Sequence, residues 1–242
     1  MPEVPALPVV AAAAQADRPR LTLFDLDHTL LDGDSDVLWC EFLVGRGVLE
    51  HDTFAERNAR MARDYHAGTV SAQDFCAFHV STLAGRSPGD WEPLRRDFLD
   101  LVVAPRIPEA AHALVQRHLG NGDLAVLTTA TNRFITELTA ARLGLPNLIA
   151  TECETDGSGA FTGRTAGVPN MREGKVVRLQ AWLADRGIAL ADCDSTLYSD
   201  SINDLPLLQA VRRPVVVNPD AKLAAEAQTR SWPVISLHER TN

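Results

Sequence analysis

The chain has 242 residues, 45% hydrophobic and 23% charged, with 23 lysines and arginines against 32 aspartates and glutamates and a formal net charge of −9. That composition suits a globular chain with a buried core, sized for one large domain or a domain with a substantial insert. It excludes a wholly disordered or collagenous chain and speaks against a nucleic-acid binder, and no apolar run approaches the roughly 20 residues a membrane helix needs.

Residues 1–20 read as a disordered lead-in, because Pro2, Pro5 and Pro8 interrupt the apolar stretch and no basic segment precedes it, unlike a signal peptide. Leu21–Phe24 is a short apolar run of the kind that forms a buried parallel strand, and it delivers Asp25-Leu26-Asp27-His28-Thr29 to its far edge. From 34 to 103 the apolar spacing turns helical, punctuated by Gly45, Gly47, Gly68, Gly85 and Pro88, and predicts about four helices with no strand among them. A helix over 109–119 and a strand at Leu124–Leu127 follow, the strand ending in Thr128-Thr129-Ala130-Thr131. A helix over 132–143 is stopped by Gly144 and Pro146, and a hairpin of Leu148–Glu154 and Ala160–Thr165 turns around Asp156-Gly157-Ser158-Gly159.

The rest alternates: a helix over 173–186, a strand at Thr196–Ser199, a helix at Asp204–Ala210, a strand at Val215–Val217, a helix over 220–227 and a short strand at Val234–Ser236. Strands alternating with helices predict an α/β fold, Rossmann-like and doubly wound, with a mostly parallel sheet. Residues 21–33 and 104–242 form its core and 34–103 an inserted helical cap. Cys40, Cys76, Cys153 and Cys193 are far apart without a C-x-x-C pair, so neither a zinc site nor a disulfide framework is indicated, and a reducing, cytoplasmic setting is the default.

Asp25 and Asp27 stand where open α/β sheets bind ligands, although such pairs are as often loop or capping residues. Asp32, Asp34 and Asp36 imitate a calcium-binding EF-hand loop, but Val37 and Leu43 occupy the positions of its glycine and its bidentate glutamate. A second acidic group, Asp200 with Asn203 and Asp204, follows the strand at 196–199; a helix cap is the bland alternative. Two strand ends bearing carboxylates suit a hard cation such as Mg²⁺. Thr129 and Ala130, where a strand gives way to a helix, offer a hydroxyl and backbone N–H groups to an oxyanion. Lys175 stands near a helix start, an unfavourable place for a cation.

In order, Asp25-x-Asp27-x-Thr29-Leu30, Thr129, Lys175 and Asp200-x-x-Asn203-Asp204 resemble the motifs of the haloacid-dehalogenase-like (HAD) superfamily of phosphohydrolases, from about Leu21 to the C-terminus. The insert is similar to the small helical cap of its phosphoserine-phosphatase-like and histidinol-phosphatase-like branch. The resemblance implies a Mg²⁺-dependent phosphatase. Asp25 would be the nucleophile that forms an aspartyl-phosphate, and Asp27 the acid and base. The metal would lie between Asp25, the Asp27 backbone carbonyl and Asp200. Thr129, Ala130 and Lys175 would bind the phosphoryl group, and Asn203 and Asp204 would support them. Ser199 and Ser201 stand where the family pattern often has glycines.

Asp34 matches a position that binds the substrate amine in phosphoserine phosphatases, or it caps the first insert helix. Arg46, Arg57, Arg60 and His66 could touch substrate or simply face solvent. The implied partner is a small phosphorylated metabolite, neither nucleic acid nor membrane, and the protein a monomer or homodimer. A phosphotransferase or mutase on the same scaffold, and a non-catalytic binding protein, are the alternatives. A cap that closes over the metal would hinge near Leu31–Gly33 and Val103–Pro108.

Overall fold

A computed structural model describes residues 18–237, so the lead-in expected at 1–20 lies, up to residue 17, outside the described residues, as does the His66 side chain. The first strand, β1 (Arg20–Phe24), sits in the middle of a seven-stranded sheet with β2 (Leu124–Asn132), β3 (Asn147–Thr155), β4 (Phe161–Ala166), β5 (Asp194–Ser199), β6 (Arg213–Val217) and β7 (Val234–Ile235). Their order is β4-β3-β2-β1-β5-β6-β7, and every pairing is parallel except β3 with β4. Both faces of β1 are buried: Leu21 and Leu23 join one apolar cluster and Phe24 the other.

Helices cover both faces. Helices α7 (Glu173–Ala184), α8 (Leu205–Ala210) and α9 (Ala221–Arg230) bury Leu179, Leu207 and Leu223 against Leu21 and Leu197. On the other face α5 (Glu109–Gly120) and α6 (Arg133–Leu143) bury Leu114, Val115, Phe134 and Leu143 against Phe24 and Leu127. This is a doubly wound α/β fold: the chain runs from β1 outward through β2 and β3 to β4, then returns to the opposite side of β1 as β5 and runs outward through β6 to β7. The crevice outside the C-terminal ends of β1, β2 and β5 is therefore the place for a ligand.

Between β1 and β2 come α1 (Ser35–Gly45), α2 (His51–Ala67), α3 (Ala72–Ser81) and α4 (Pro88–Phe98), the last running on through a π turn and a 3₁₀ turn to Arg106. Sequence chemistry starts them: Asp34 caps α1, Ser71 caps α3, and Ser87 with Asp90 forms a capping box on α4. Trp39, Leu43, Leu83, Trp91 and Phe98 belong to the same apolar cluster as Phe24 and Leu127 of the sheet, with the Trp39 ring 5.1 Å from Phe98 and 5.8 Å from Trp91. The loop after α3 pairs with the β4 edge, Gly85 N donating to Phe161 O and Phe161 N to Arg86 O, each at 2.9 Å. Gly163 (φ +78°) lies so close there that a Cβ would meet the Ala84 Cβ at 2.9 Å. Helix α2 is different: among its described side chains Asn58 alone is buried. The chain enters and leaves the insert side by side, Asp32 N donating to Arg106 O at 2.9 Å.

Two elements depart from expectation. Strand β2 continues past Leu127 to Asn132, because the β-branched Thr128, Thr129 and Thr131 go on as strand and Asn132 pairs with Thr151 of β3. The helix expected from Asp204 opens as a 3₁₀ turn at Ile202–Asp204, with Pro206 in the first turn of α8.

Candidate active site

Asp25 is the first residue past β1, and its N–H donates to Tyr198 O at 2.9 Å, which prolongs the sheet ladder and fixes the backbone. Its carboxylate Oδ1 is 2.7 Å from Lys175 Nζ, which is also 2.7 Å from Asp204 Oδ2. Ser199, at the end of β5, donates its hydroxyl to that same Asp204 oxygen at 2.8 Å. The Thr29 hydroxyl lies 3.1 Å from Asp25 Oδ2 and 3.3 Å from Asp200 Oδ1, and accepts the Asp200 N–H at 3.0 Å. The tight turn after β1, in which Thr29, Leu30 and Leu31 N–H groups converge on Leu26 O, places Thr29 between the two acids. Strands β1 and β5 and helix α7 thus bring Asp25, Asp200, Asp204 and Lys175 together.

Asp27 faces the same cleft, and among the described residues its hydrogen-bond partners are neutral. Its Oδ1 accepts the Ser35 N–H at 2.7 Å, and its Oδ2 accepts the Thr131 hydroxyl at 2.9 Å and the Thr129 hydroxyl at 3.4 Å. Thr129 is fully buried and turned to Asp27, while Ala130 and Thr131 line the cavity. Thr131 and Ser35 were not singled out from sequence. A strand ending at Leu127 left Thr131 beyond the edge, and the β-branched threonine run was the signal that the strand goes further.

Burial pushes the Asp25 carboxyl up to about 7 against the pull of Lys175, and Asp204 and Asp27 add to the rise. Burial also drives Asp200 well above the carboxylate range, with Asp25 and Asp204 adding to it. Burial lowers Lys175, but the Asp204 and Asp25 carboxylates outweigh it and hold the ammonium above its usual value. The cavity is lined by more carboxyl groups than cations, Lys175 being joined there by Arg172 and Lys222.

The cavity of about 510 Å³ above these groups is closed by insert residues Asp34, Asp36, Tyr65 and Phe75. Asp34 Oδ1 accepts the Asp36 and Val37 N–H groups at 3.0 Å, so Asp34 caps α1 while lining the cavity. Burial, reinforced by Asp27, pushes its carboxyl up to about 7. Asp36, buried beside Asp34, is driven well above the usual carboxylate range by burial, with Asp34 and Asp27 adding to the rise, and its Oδ1 has Asn132 Nδ2 at 3.5 Å. The Tyr65 and Phe75 rings stack at 4.2 Å, and Asn203 Nδ2 donates to the Tyr65 hydroxyl at 2.8 Å, tying α2 to the loop after β5. Asn203 is not the cap of α8; its N–H is held by the Ser201 hydroxyl at 3.2 Å.

Arg46 is not brought to the cavity: it pairs with Asp97 at 2.9 Å and lies over the Phe42 ring, because the last turn of α1 points away. Arg57, over Phe54 and Phe78, and Arg60, near Asp64, also stand outside it.

Asn170, also missed from sequence, anchors the loop that carries Lys175. Fully buried, it donates from Nδ2 to Thr128 Oγ1, Thr129 O and Ile149 O at 2.9–3.0 Å, and from its backbone N–H to Thr151 Oγ1 at 3.0 Å.

A family model described as haloacid dehalogenase-like hydrolase matches residues 22–209. A histidinol-phosphatase of Neisseria meningitidis serogroup C is 39% identical over 218 residues, covering 90% of this chain and 98% of that protein. The Mycobacterium tuberculosis protein named phosphoserine phosphatase SerB1 is 33% identical, covering 94% of this chain and 76% of its own length. A crystal structure of a protein of unknown function from Bordetella pertussis Tohama I superposes with a TM-score of 0.87 at 43% identity, over 91% of this chain and all of that one. A substrate-bound phosphoserine phosphatase shares the fold, with a TM-score of 0.66 at 17% identity over 90% of this chain and 93% of the other.

Proposed function

The chain belongs to the haloacid dehalogenase-like hydrolase family, and from that premise we propose that it is a Mg²⁺-dependent phosphatase that cleaves a small, amine-bearing phosphomonoester through an aspartyl-phosphate. Its class, phosphoric monoester hydrolase, is that of its relatives named as phosphatases. The observation that carries the finer reading is the pair of carboxyls two residues apart, Asp25 held by the Lys175 cation and Asp27 held by neutral donors.

An Asp25 oxygen attacks phosphorus, the bond to the ester oxygen breaks, and the Asp27 carboxyl gives that oxygen its proton. Asp27, now a carboxylate, takes a proton from the water that attacks the aspartyl-phosphate, and Asp25 is released. Lys175 orients Asp25 and places positive charge beside the phosphoryl oxygens, while Asp204, itself held by Ser199, keeps the lysine in position. Ala130, which lines the cavity, would lie beside the phosphoryl group, and Thr129 and Thr131 hold Asp27 from behind.

The residues fit Mg²⁺. Asp25 and Asp200 are crowded hard-oxygen donors against one threonine hydroxyl, and their upward-driven carboxyls call for a cation. Among the described residues no group of three His, Cys, Asp or Glu side chains is arranged to hold a metal. Mg²⁺ needs no such cage, since it keeps several waters. Asp25, Asp200 and the Asp27 carbonyl would hold it, and it would supply charge against the phosphoryl oxygens.

At the other end, Asp34 and Asp36 face the cavity beside the Tyr65–Phe75 stack, a setting for a protonated amine. The insert is then a cap, with α2 its covering part. Histidinol phosphate heads the substrates to try and phosphoserine follows, in keeping with the relatives' names. The test is release of inorganic phosphate from a panel of phosphorylated metabolites with Mg²⁺ and with a chelator. Asp25→Asn is expected to lower kcat by about 10³-fold or more; undiminished turnover in that variant overturns the mechanism.

A further inference from the structure

The residue three before Lys175 has a backbone conformation that an arginine rarely adopts. Gly174 N donates to Met171 O at 2.8 Å, closing a four-residue turn, and Arg172 is its second residue with φ 49° and ψ −125°. That is the first central position of a type II′-like turn, where a side chain is crowded and glycine is the favoured occupant. The turn cannot relax by shifting the strain to a neighbour. On one side Asn170 is fully buried and bonded into β2 and β3. On the other, Gly174 passes so close to the preceding strand of loop that a Cβ would lie 2.2 Å from Pro169 O. The geometry therefore asks for glycine at 172, and the chain has arginine.

The Arg172 side chain gives nothing back to the fold. It is exposed, it lines the cavity, and it makes no hydrogen bond or ion pair with a described residue. Arg95, Arg133 and Arg178, by contrast, are all paired with carboxylates. Its charge is felt at the Tyr65 hydroxyl on the insert wall, where it works against the upward push of burial.

We propose that Arg172 grips an anionic oxygen of the substrate, and that the strained turn persists because it presents the guanidinium to the cavity. The inference rests on the phosphatase reading above. A guanidinium offers a planar fork of donors that matches a phosphoryl group or a carboxylate equally well. The anionic oxygen therefore belongs either to the phosphoryl group or to a carboxylate elsewhere on the substrate.

The test compares the parent protein with Arg172→Gly and Arg172→Lys on phosphoserine and on phosphoethanolamine, which lacks the carboxylate. Melting temperature and kcat/KM are measured with Mg²⁺, and binding of both esters is followed by calorimetry in an Asp25→Asn background, which needs no turnover. Arg172→Gly is expected to melt a few degrees higher than the parent, because the strain is relieved, yet to lose tenfold or more in kcat/KM. Arg172→Lys is expected to recover part of the binding without the gain in melting temperature. Equal loss on both esters assigns the grip to the phosphoryl group; loss confined to phosphoserine assigns it to a carboxylate. Unchanged binding and kcat/KM on both esters in Arg172→Gly, or no binding of either ester to the Asp25→Asn protein, overturns the grip, and a lower melting temperature in Arg172→Gly overturns the strain argument. If the parent turns over neither ester but binds one through Arg172, the phosphatase reading fails and the grip stands.

Discussion

The two walls of the cavity are built on different principles. The sheet wall is a chain of charge: Asp25, Lys175 and Asp204 at 2.7 Å contacts, with Thr29 and Ser199 filling in, carried by the ends of β1 and β5, the turns that follow them and the start of α7. The insert wall combines the Tyr65–Phe75 ring stack, tied to the loop after β5 by the Asn203–Tyr65 hydrogen bond, with the start of α1, where the Ser35 N–H holds Asp27. The insert is itself divided. Trp39, Trp91 and Phe98 continue the core of the sheet, whereas α2 rests on the outside with Asn58 as its one buried described side chain. A site arranged in this way separates the groups that need fixed geometry from those that meet the variable part of a substrate.

The largest expected effect is on the sheet wall. Lys175→Ala leaves Asp25 and Asp204 buried without their shared counter-charge, a change expected to cost about 3–5 kcal/mol. Urea denaturation would show it, and a loss below about 1 kcal/mol would mean that the two walls are alike in this respect.

Acid should pull the walls in opposite directions. His79 joins α3 to α2, with Nε2 3.0 Å from Asn58 Oδ1, and burial lowers its pKa from 6.5 to about 4. Above pH 6.5 it contributes nothing to pH dependence. As pH falls from 6.5 toward 4, the unfolded chain takes up the proton and the native chain does not. Stability is lost over that window, on the order of 3 kcal/mol in all. Asp25 has the opposite sign: its pKa is raised from 3.8 to about 7, so between those values the folded state is the one that binds the proton, and acid stabilises. The difference between the pH–stability curves of the metal-free parent and His79→Gln isolates the histidine; superimposable curves would remove it.

The smallest effect belongs to Tyr65→Phe. The variant keeps the stack on Phe75 and loses the bond to Asn203, worth about 1 kcal/mol. KM is expected to rise a few-fold with the melting temperature lowered by about 2–4 °C. A fall in stability as large as that of Lys175→Ala would show that the insert wall is as firmly built as the sheet wall.

The doubly wound sheet was legible because parallel strands buried on both faces read as short apolar runs, and because each ends in a conspicuous polar group. The helices of the insert were legible from their apolar spacing and from the glycines and Pro88 between them. Which of them shares the main core was not, since the same periodicity serves a helix packed on the sheet and one laid over it: Trp39 and Phe54 look alike in sequence. Site residues with charged side chains near a strand end stood out. The bonds that Thr131 and Ser35 make to Asp27, through a hydroxyl and a backbone N–H, did not, because they depend on where the chain turns. Arg46 misled because a basic residue on the insert is as readily paired with Asp97 on its own surface as aimed inward. In Met171–Lys175 the glycine stands at 174, while the positive-φ conformation sits two residues earlier, on Arg172.

The continuity of the Trp39 cluster with Phe24 and Leu127 sets where the gene can be recombined. Excising the whole of 35–103 would take Trp39, Leu43, Leu83, Trp91 and Phe98 out of the core on one face of the sheet and leave α5 and α6 to cover it, so the insert is not a cassette that can be moved between scaffolds. A crossover confined to 46–71 exchanges only α2 and its flanking loops, and leaves Trp39, Leu83, Trp91 and Phe98 in place. The seam for exchanging substrate range runs inside the insert, around one helix, and not along its junctions with the sheet.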